Sequence, residues 1–423
     1  MQTQLAPQYA STPEGRQAQD VLRQCVHCGF CNATCPTYRV TGNELDGPRG
    51  RIYLMKQVFE GQTPTRTTQE HLDHCIGCRH CESTCPSGVQ YHALLAVGQP
   101  AVDAQVVRPW RERLLRWGLI RLMPSPLFAP ALKLGQAVRH FLPAALRAQV
   151  PARAPMAPPA WPDPRKSLHA RRVLLLKGCV QPGLRPHIDA ATARVLDAIG
   201  IRAVVASGST CCGAVQGHMG DLDGAKVRAR RNIDAWWPYI ESPTPVEAVL
   251  INASGCGAWV KDYASLLADD PAYADKARRV VALARDPGEM LVNWMPLLKR
   301  KLGKRAQAGL GAVTFHPPCS LSHAQKLGSA AKPGPVETGL RELGFEVKLA
   351  VADSHQCCGA GGAYSVLQPA LSRQLRDIKL KALQATEPHV IASANIVCIV
   401  HLQSGTDTPV KHWLEVLDEA LSR

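Results

Sequence analysis

The chain has 423 residues, 46% of them apolar, enough for two or three domains with sizeable cores. Lys and Arg outnumber Asp and Glu by 49 to 34, a formal charge of +15, so the partners to expect are anionic: lipid, an acidic subunit or nucleic acid. Aromatics make up only 5% and interleave with no Arg-rich tract, which argues against nucleic acid. Sixteen cysteines in a long chain, behind a start with no basic n-region or apolar h-region, point to a reducing intracellular compartment. Grouped cysteines there bind metal more often than they pair. No stretch reaches the eighteen or so apolar residues of a membrane span, and the longest run, Val390 to Val400, fits a buried strand.

Residues 1–97 carry Cys25-x2-Cys28-x2-Cys31-x3-Cys35-Pro36 and, about forty residues on, Cys75-x2-Cys78-x2-Cys81-x3-Cys85-Pro86. This is the bacterial two-cluster ferredoxin spacing written twice. A cubane offers four irons at tetrahedral corners, and two-residue gaps let three sulfurs converge on one cube. The fourth cysteine stands at a helix start or turn and points to the other cube. Cys25, Cys28, Cys31 and Cys85 are thus expected on one [4Fe–4S] cluster, and Cys75, Cys78, Cys81 and Cys35 on the second. Small residues between ligands, such as Gly29 and Gly77, let backbone N–H groups approach sulfur. Two clusters, each about −2 with its thiolates, would lower the net charge to roughly +11. Zinc knuckles are the rival, but zinc does not require a third and fourth cysteine at these spacings. The long spacer, with Arg49-Gly50-Arg51, implies helices packed around the clusters. His71, His74, His80 and His92 flank the second motif and read as surface residues or residues behind the ligands.

Residues 98–170 lack cysteine. Between Arg108 and Arg139 they hold seven basic residues and one acid, Glu112, interleaved with Leu114, Leu115, Trp117, Leu119, Ile120, Leu122 and Met123. Pro124 and Pro126 interrupt this basic amphipathic pattern, which suits an anionic membrane surface or a pair of helices packed on the protein's own core. The proline-dense stretch Pro143–Pro164 reads as an extended linker.

Residues 171–300 and 301–423 look like a repeat. In the first, strand 172–176 leads to Cys179, helix Ile188–Ile199 and strand Ala203–Ala206 lead to Cys211-Cys212-Gly213, and strand Ala248–Asn252 leads to Cys256. In the second, strand Val313–Phe315 leads to Cys319, helix Glu337–Leu343 and strand 346–351 lead to Cys357-Cys358-Gly359, and strand Val390–Ala392 leads to Cys398. Strand–helix–strand order implies a parallel α/β unit in each, with cysteines at the strand ends where open α/β sheets bind ligands. Three readings stay open for these eight cysteines: a metal or Fe–S centre per module, redox-active thiols, or buried structural residues. His316 and His323, near Cys319, read first as hydrogen-bonded turn histidines, with ligand and proton-carrier roles as alternatives. Gly359-Ala-Gly-Gly lacks the full dinucleotide fingerprint.

Duplicated Cys-Cys-Gly modules behind a two-cluster ferredoxin domain resemble the iron–sulfur subunits of glycolate oxidase. The likeness is closest in Gly178-Cys-Val-Gln-Pro, Cys211-Cys-Gly-Ala, His316-Pro-Pro-Cys-Ser and Cys357-Cys-Gly-Ala-Gly-Gly. Anaerobic glycerol-3-phosphate dehydrogenase, lactate-utilisation proteins and heterodisulfide reductase share the layout. The family pattern often closes with Cys-x2-Cys, whereas Trp259 and His401 stand three past the last cysteines here, leaving four cysteines per module. The resemblance implies a multidomain protein, a mainly α-helical ferredoxin domain followed by two α/β cysteine-rich modules. It implies an electron-transfer subunit whose flavin-containing partners carry FAD and oxidise glycolate to glyoxylate. Electrons would pass toward quinone, at the cytoplasmic face of the inner membrane. Further metal centres would sit at Cys179, Cys211, Cys212 and Cys256, and at Cys319, Cys357, Cys358 and Cys398. The alternatives are a lactate or glycerol-3-phosphate dehydrogenase subunit, or a catalytic subunit of the heterodisulfide reductase kind.

Overall fold

The structure is a computed structural model that describes residues 1–143, 147, 150–152, 160–163, 165–166, 168–303, 311–328, 332–350 and 352–422. Its chain divides into two compact units. The first comprises Met1–Gly118, His218–Gly220 and Gln356–Ile378; the second comprises the rest.

The first unit is helical, as expected. Helix Pro13–Gln24 starts where Thr12 Oγ1 accepts from the Gly15 N–H and Pro13 fills the first turn, where no N–H is needed. Helices Pro48–Phe59 and Tyr91–Asp103 meet it around Ala18, Leu22, Met55, Phe59, Leu72 and Leu94, all buried. Helix ends deliver the cysteines: Cys25 follows Gln24, and Cys75 lies two residues past helix Arg66–Asp73. The two motifs share one backbone path. The residues before and after the middle cysteine are left-handed in both, His27 (φ 60°) and Gly29 (86°), then Gly77 (71°) and Arg79 (59°). The fourth cysteines match as well, Cys35 at φ −76°, ψ 118° and Cys85 at −72°, 116°.

The basic stretch forms helices Trp110–Leu122 and Phe128–Ala137, separated at Pro124 and Pro126, and neither buries a residue. Within the first unit, Arg108 bonds Asp73, Asp103 and Glu112, and Arg116 bonds Asp73 and Glu112. This helix is therefore fastened by charge, not by an apolar face. Most of the expected Pro143–Pro164 linker lies outside the described residues.

The second unit holds two four-stranded parallel sheets. Strands β1 (Arg171–Leu175), β2 (Ile201–Val204), β3 (Val249–Leu250) and β4 (Ala284–Arg285) run in the order β2-β1-β3-β4. Strands β5 (Val313–His316), β6 (Val347–Lys348), β7 (Val390–Ser393) and β8 (Val410–His412) repeat it as β6-β5-β7-β8. The repeat expected from the cysteine order is thus a repeat of topology. In each sheet the strand order reverses between the first and third strands, the crevice where open α/β folds seat ligands. The sheets share one core, in which Val173, Leu250, Phe315 and Ala392 meet Trp294 and Trp413. Helix Pro287–Leu302, which supplies Trp294, is held at its start by a capping box between Asp286 and Glu289.

The run Val390–Val400 is not one strand. It is β7 followed by helix Ile396–Gln403, because Asn395 accepts the Val397 N–H and starts a helix there. The strand expected at Ala203–Ala206 begins two residues earlier, at Ile201, directly after the left-handed Gly200.

Candidate iron–sulfur centres

Two adjoining pockets in the first unit sort the ferredoxin cysteines. Cys25, Cys28, Cys31 and Cys85 line one, and Cys35, Cys75 and Cys78 line the other. Cys81 and Tyr91 line both and form part of the wall between them. Cys35 and Cys85 each face the pocket of the opposite motif.

The thiols suit a bound cluster and suit little else. All sixteen cysteines of the chain are free of disulfides. Burial, with the neighbouring Cys25 adding to it, pushes the Cys31 thiol up to about 11. Burial also raises Cys25 and Cys81. Thiols that resist ionising alone become thiolates when a cationic iron core takes up their charge.

A polar clamp backs the second pocket. Arg51 is fully buried; its Nε donates to the His71 carbonyl at 2.6 Å and its Nη2 to Thr37 Oγ1 at 3.1 Å. Thr37 Oγ1 in turn donates to the Asp46 carbonyl at 2.9 Å and lies 3.3 Å from Cys35 Sγ. Burial opposes the Arg51 charge, but Cys75, Tyr91, Cys35 and Asp46 outweigh it and hold the guanidinium ionised. Asp46 Oδ1 sits 2.8 Å from both His71 Nδ1 and His74 Nδ1. Burial opposes ionisation of Asp46, yet the His74 and His71 hydrogen bonds hold its carboxyl well below the usual range. These three groups lie within metal-binding reach of one another. Their hydrogen-bond spacing, with Arg51 3.9 Å from Asp46, makes them a clamp behind Cys35 and Cys75. His92 lines the second pocket, and its ring stacks edge-on to His218 at 5.9 Å. His80 is buried and His71 nearly so, while His74 is partly exposed.

In the second unit the first module draws its four cysteines together. Cys211 Sγ is 3.2 Å from Cys179 Sγ, and Cys212 makes side-chain hydrogen bonds with Cys211 and Cys256. Hydrogen bonds with Cys179 and Cys212 hold Cys211 far below the ordinary thiol range, helped by the Gly213 N–H and the charge of Arg228. Cys179 and Cys212 are raised by the same contacts and by burial. The turn favours Gly213, whose φ of +93° strains any other residue and where a side chain would press on the Ala225 carbonyl. Its N–H points at Cys211 Sγ at 3.4 Å. Gly359 repeats this at φ +89°, its N–H 3.5 Å from Cys357 Sγ. Behind Cys179, Asp189 accepts from Gln181 and Asn252 in a buried polar cluster that nothing in the cysteine spacing announces.

The second module is divided between the units: Cys357 and Cys358, both buried, belong to the first, and Cys319 and the buried Cys398 to the second. His316 ends β5 as a buried residue, and neither ring nitrogen has a hydrogen-bond partner among the described residues. The reading of His316 as a hydrogen-bonded turn histidine is therefore corrected. His323 does contact the His355 carbonyl, at 3.5 Å.

The 4Fe-4S dicluster domain family matches residues 21–89, and the cysteine-rich domain family matches twice, at residues 173–261 and 313–403. With the two pockets, this makes the chain an iron–sulfur electron-transfer protein carrying two [4Fe–4S] clusters. It is 49% identical over 424 residues, the whole of both chains, to the glycolate oxidase iron-sulfur subunit of Escherichia coli (strain K12). The probable glycolate oxidase iron-sulfur subunit of Bacillus subtilis (strain 168) is 29% identical, covering 93% of this chain and 90% of its own. Lactate utilization protein A of the same strain is 24% identical over 58% of this chain. The chain belongs to the family of glycolate oxidase iron–sulfur subunits.

Proposed function

We propose that this chain is the electron-transfer subunit of a glycolate-oxidising complex, in which flavin-containing partners convert glycolate to glyoxylate and this chain passes the electrons toward the quinone pool. A [4Fe–4S] cluster supplies reversible one-electron chemistry, which fits it to stand between a two-electron flavin reaction and a distant acceptor. Cys25, Cys28, Cys31 and Cys85 hold one cluster, and Cys75, Cys78, Cys81 and Cys35 the other. The observation that carries this reading is the sorting of seven thiols between two adjoining pockets, with the eighth, Cys81, lining both. Arg51 places a buried positive charge beside the second set and favours its reduced, more negative form. Cys179, Cys211, Cys212 and Cys256 hold a further metal centre, and Cys319 and Cys398 take part in a second.

The complex rests on the cytoplasmic face of the inner membrane through helix Trp110–Leu122. No helix among the described residues is long and apolar enough to cross a membrane. This helix instead exposes Trp110 (67%), Trp117 (60%), Leu114 and Leu115 beside Arg111 and Arg113, while its one acid, Glu112, is tied to Arg66 and Arg108. Exposed Trp and Leu among arginines suit the interface of an anionic bilayer.

The test of function is the complex with Cys25→Ser or Cys75→Ser. Electron flow from glycolate to a quinone analogue should cease while the flavin partner still reduces an artificial dye. Survival of quinone reduction in both variants would remove the assignment. Membrane docking is tested with vesicles containing phosphatidylglycerol at low salt. The complex should bind, and Trp110→Ser/Trp117→Ser should weaken binding severalfold; no binding by the unaltered complex contradicts the placement.

A further inference from the structure

The two modules align at their first cysteines, and the residue three before it is Leu176 in one copy and His316 in the other. Leu176 directly follows β1, and His316 ends β5, the matching strand. Both are buried, at 2% and 1% exposure. Leu176 packs into an apolar cluster that includes Cys211 and Cys212, where a hydrocarbon side chain needs no partner. An imidazole in the same place carries a donor and an acceptor into the interior, and burial without partners is unfavourable for both. Among the described residues, neither Nδ1 nor Nε2 of His316 has a hydrogen-bond partner. Its backbone, by contrast, is fixed: it pairs with Ser393 of β7, whose Oγ donates to the His316 carbonyl at 3.0 Å.

His316 therefore stands at the crevice between β5 and β7, where the strand order reverses. Helix Ile396–Gln403 follows β7 and carries Cys398, and a ring nitrogen of His316 and Cys398 Sγ lie within 4.8 Å of each other. That separation lets both groups bind one metal ion or neighbouring irons of one cluster.

We propose that His316 is a nitrogen ligand to the metal centre of the second module, shared with Cys398, so that this centre has mixed imidazole–thiolate ligation while the first module offers thiols alone. This rests on the reading that the modules hold metal centres. Its consequence is a division of labour between the copies. Where the neutral imidazole stands in for one thiolate, the centre is one unit less negative than the all-thiol copy, and its reduction potential is higher. The repeat then supplies two centres of unequal potential from one fold.

The test uses the full chain purified without oxygen, with His316→Leu, the residue of the first copy, and His316→Cys, which restores a ligand. Metal per chain is measured, with pulsed EPR on protein labelled with 15N-histidine. The proposal expects His316→Leu to lose the metal of one module, with the ferredoxin signals unchanged. His316→Cys should keep the metal, and the histidine nitrogen coupling should vanish in both. Full metal content and unaltered nitrogen coupling in His316→Leu would overturn the assignment of His316 alone. If the unaltered chain holds eight irons and no other metal, the reading of the modules as metal centres fails with it, while the ferredoxin relay stands.

Discussion

Arg51 shows how a single side chain can serve a cluster without touching iron. It is a buried cation whose hydrogen bonds go to Thr37 and the His71 carbonyl, and its charge faces Cys75 and Cys35. Arg51→Met should lower the potential of one cluster by tens of millivolts and leave Asp46 buried beside two histidines. Unpairing a buried charge typically costs ~3–5 kcal/mol. Potentiometric EPR titration with thermal unfolding checks both effects. Asp189 makes a separate pH prediction. Burial raises its carboxyl to about 6 despite donors from Asn252 and Gln181, whereas an unfolded Asp titrates near ~3.9. A raised acid contributes stability that is full below ~3.9 and is lost as pH rises through about 6. The loss is on the order of 3 kcal/mol. Asp189→Asn should remove that part of the decline, read as unfolding temperature against pH from 4 to 7. Neither residue was legible in the sequence, because their roles come from burial and from partners distant in the chain. The eight ferredoxin cysteines were legible because a cubane imposes its own spacing on a local loop. His316 was visible but misread, since a sequence shows a histidine near a cysteine and not whether its nitrogens find partners.

At the scale of elements, the Cys-Cys-Gly turn does what its spelling suggests. The glycine supplies a left-handed backbone, and its N–H meets the sulfur of the first cysteine in both copies. A side chain at Gly213 would incur about 1–2 kcal/mol of backbone strain and also press on the Ala225 carbonyl. Gly213→Ala should therefore lower the unfolding temperature and deplete metal from the first module, measured by calorimetry and metal analysis. Strand positions were legible to within a few residues, because short apolar runs ended at glycine or cysteine turns. The run Val390–Val400 was not, because hydrophobicity hides a strand-to-helix switch marked by the Asn395 cap. Helix Trp110–Leu122 was legible as basic and amphipathic. Its fastening to Asp73 and Asp103 was not, since those acids lie on elements that precede it.

At the scale of the molecule, the sequence divides the C-terminal half into two modules, and the structure adds that their sheets share one core. Trp294 and Trp413 fill space between strands of both copies, so the copies are expected to unfold together. Two clusters fixed in a chain that also carries paired cysteine modules make a stationary relay within a complex, not a diffusing shuttle. The direct test is iron and sulfide analysis of the chain purified without oxygen, with EPR after reduction. The account predicts a brown protein with at least eight irons and the broadened spectrum of two spin-coupled [4Fe–4S] clusters. A colourless protein holding zinc, or one whose reduced spectrum shows no cluster, would contradict it.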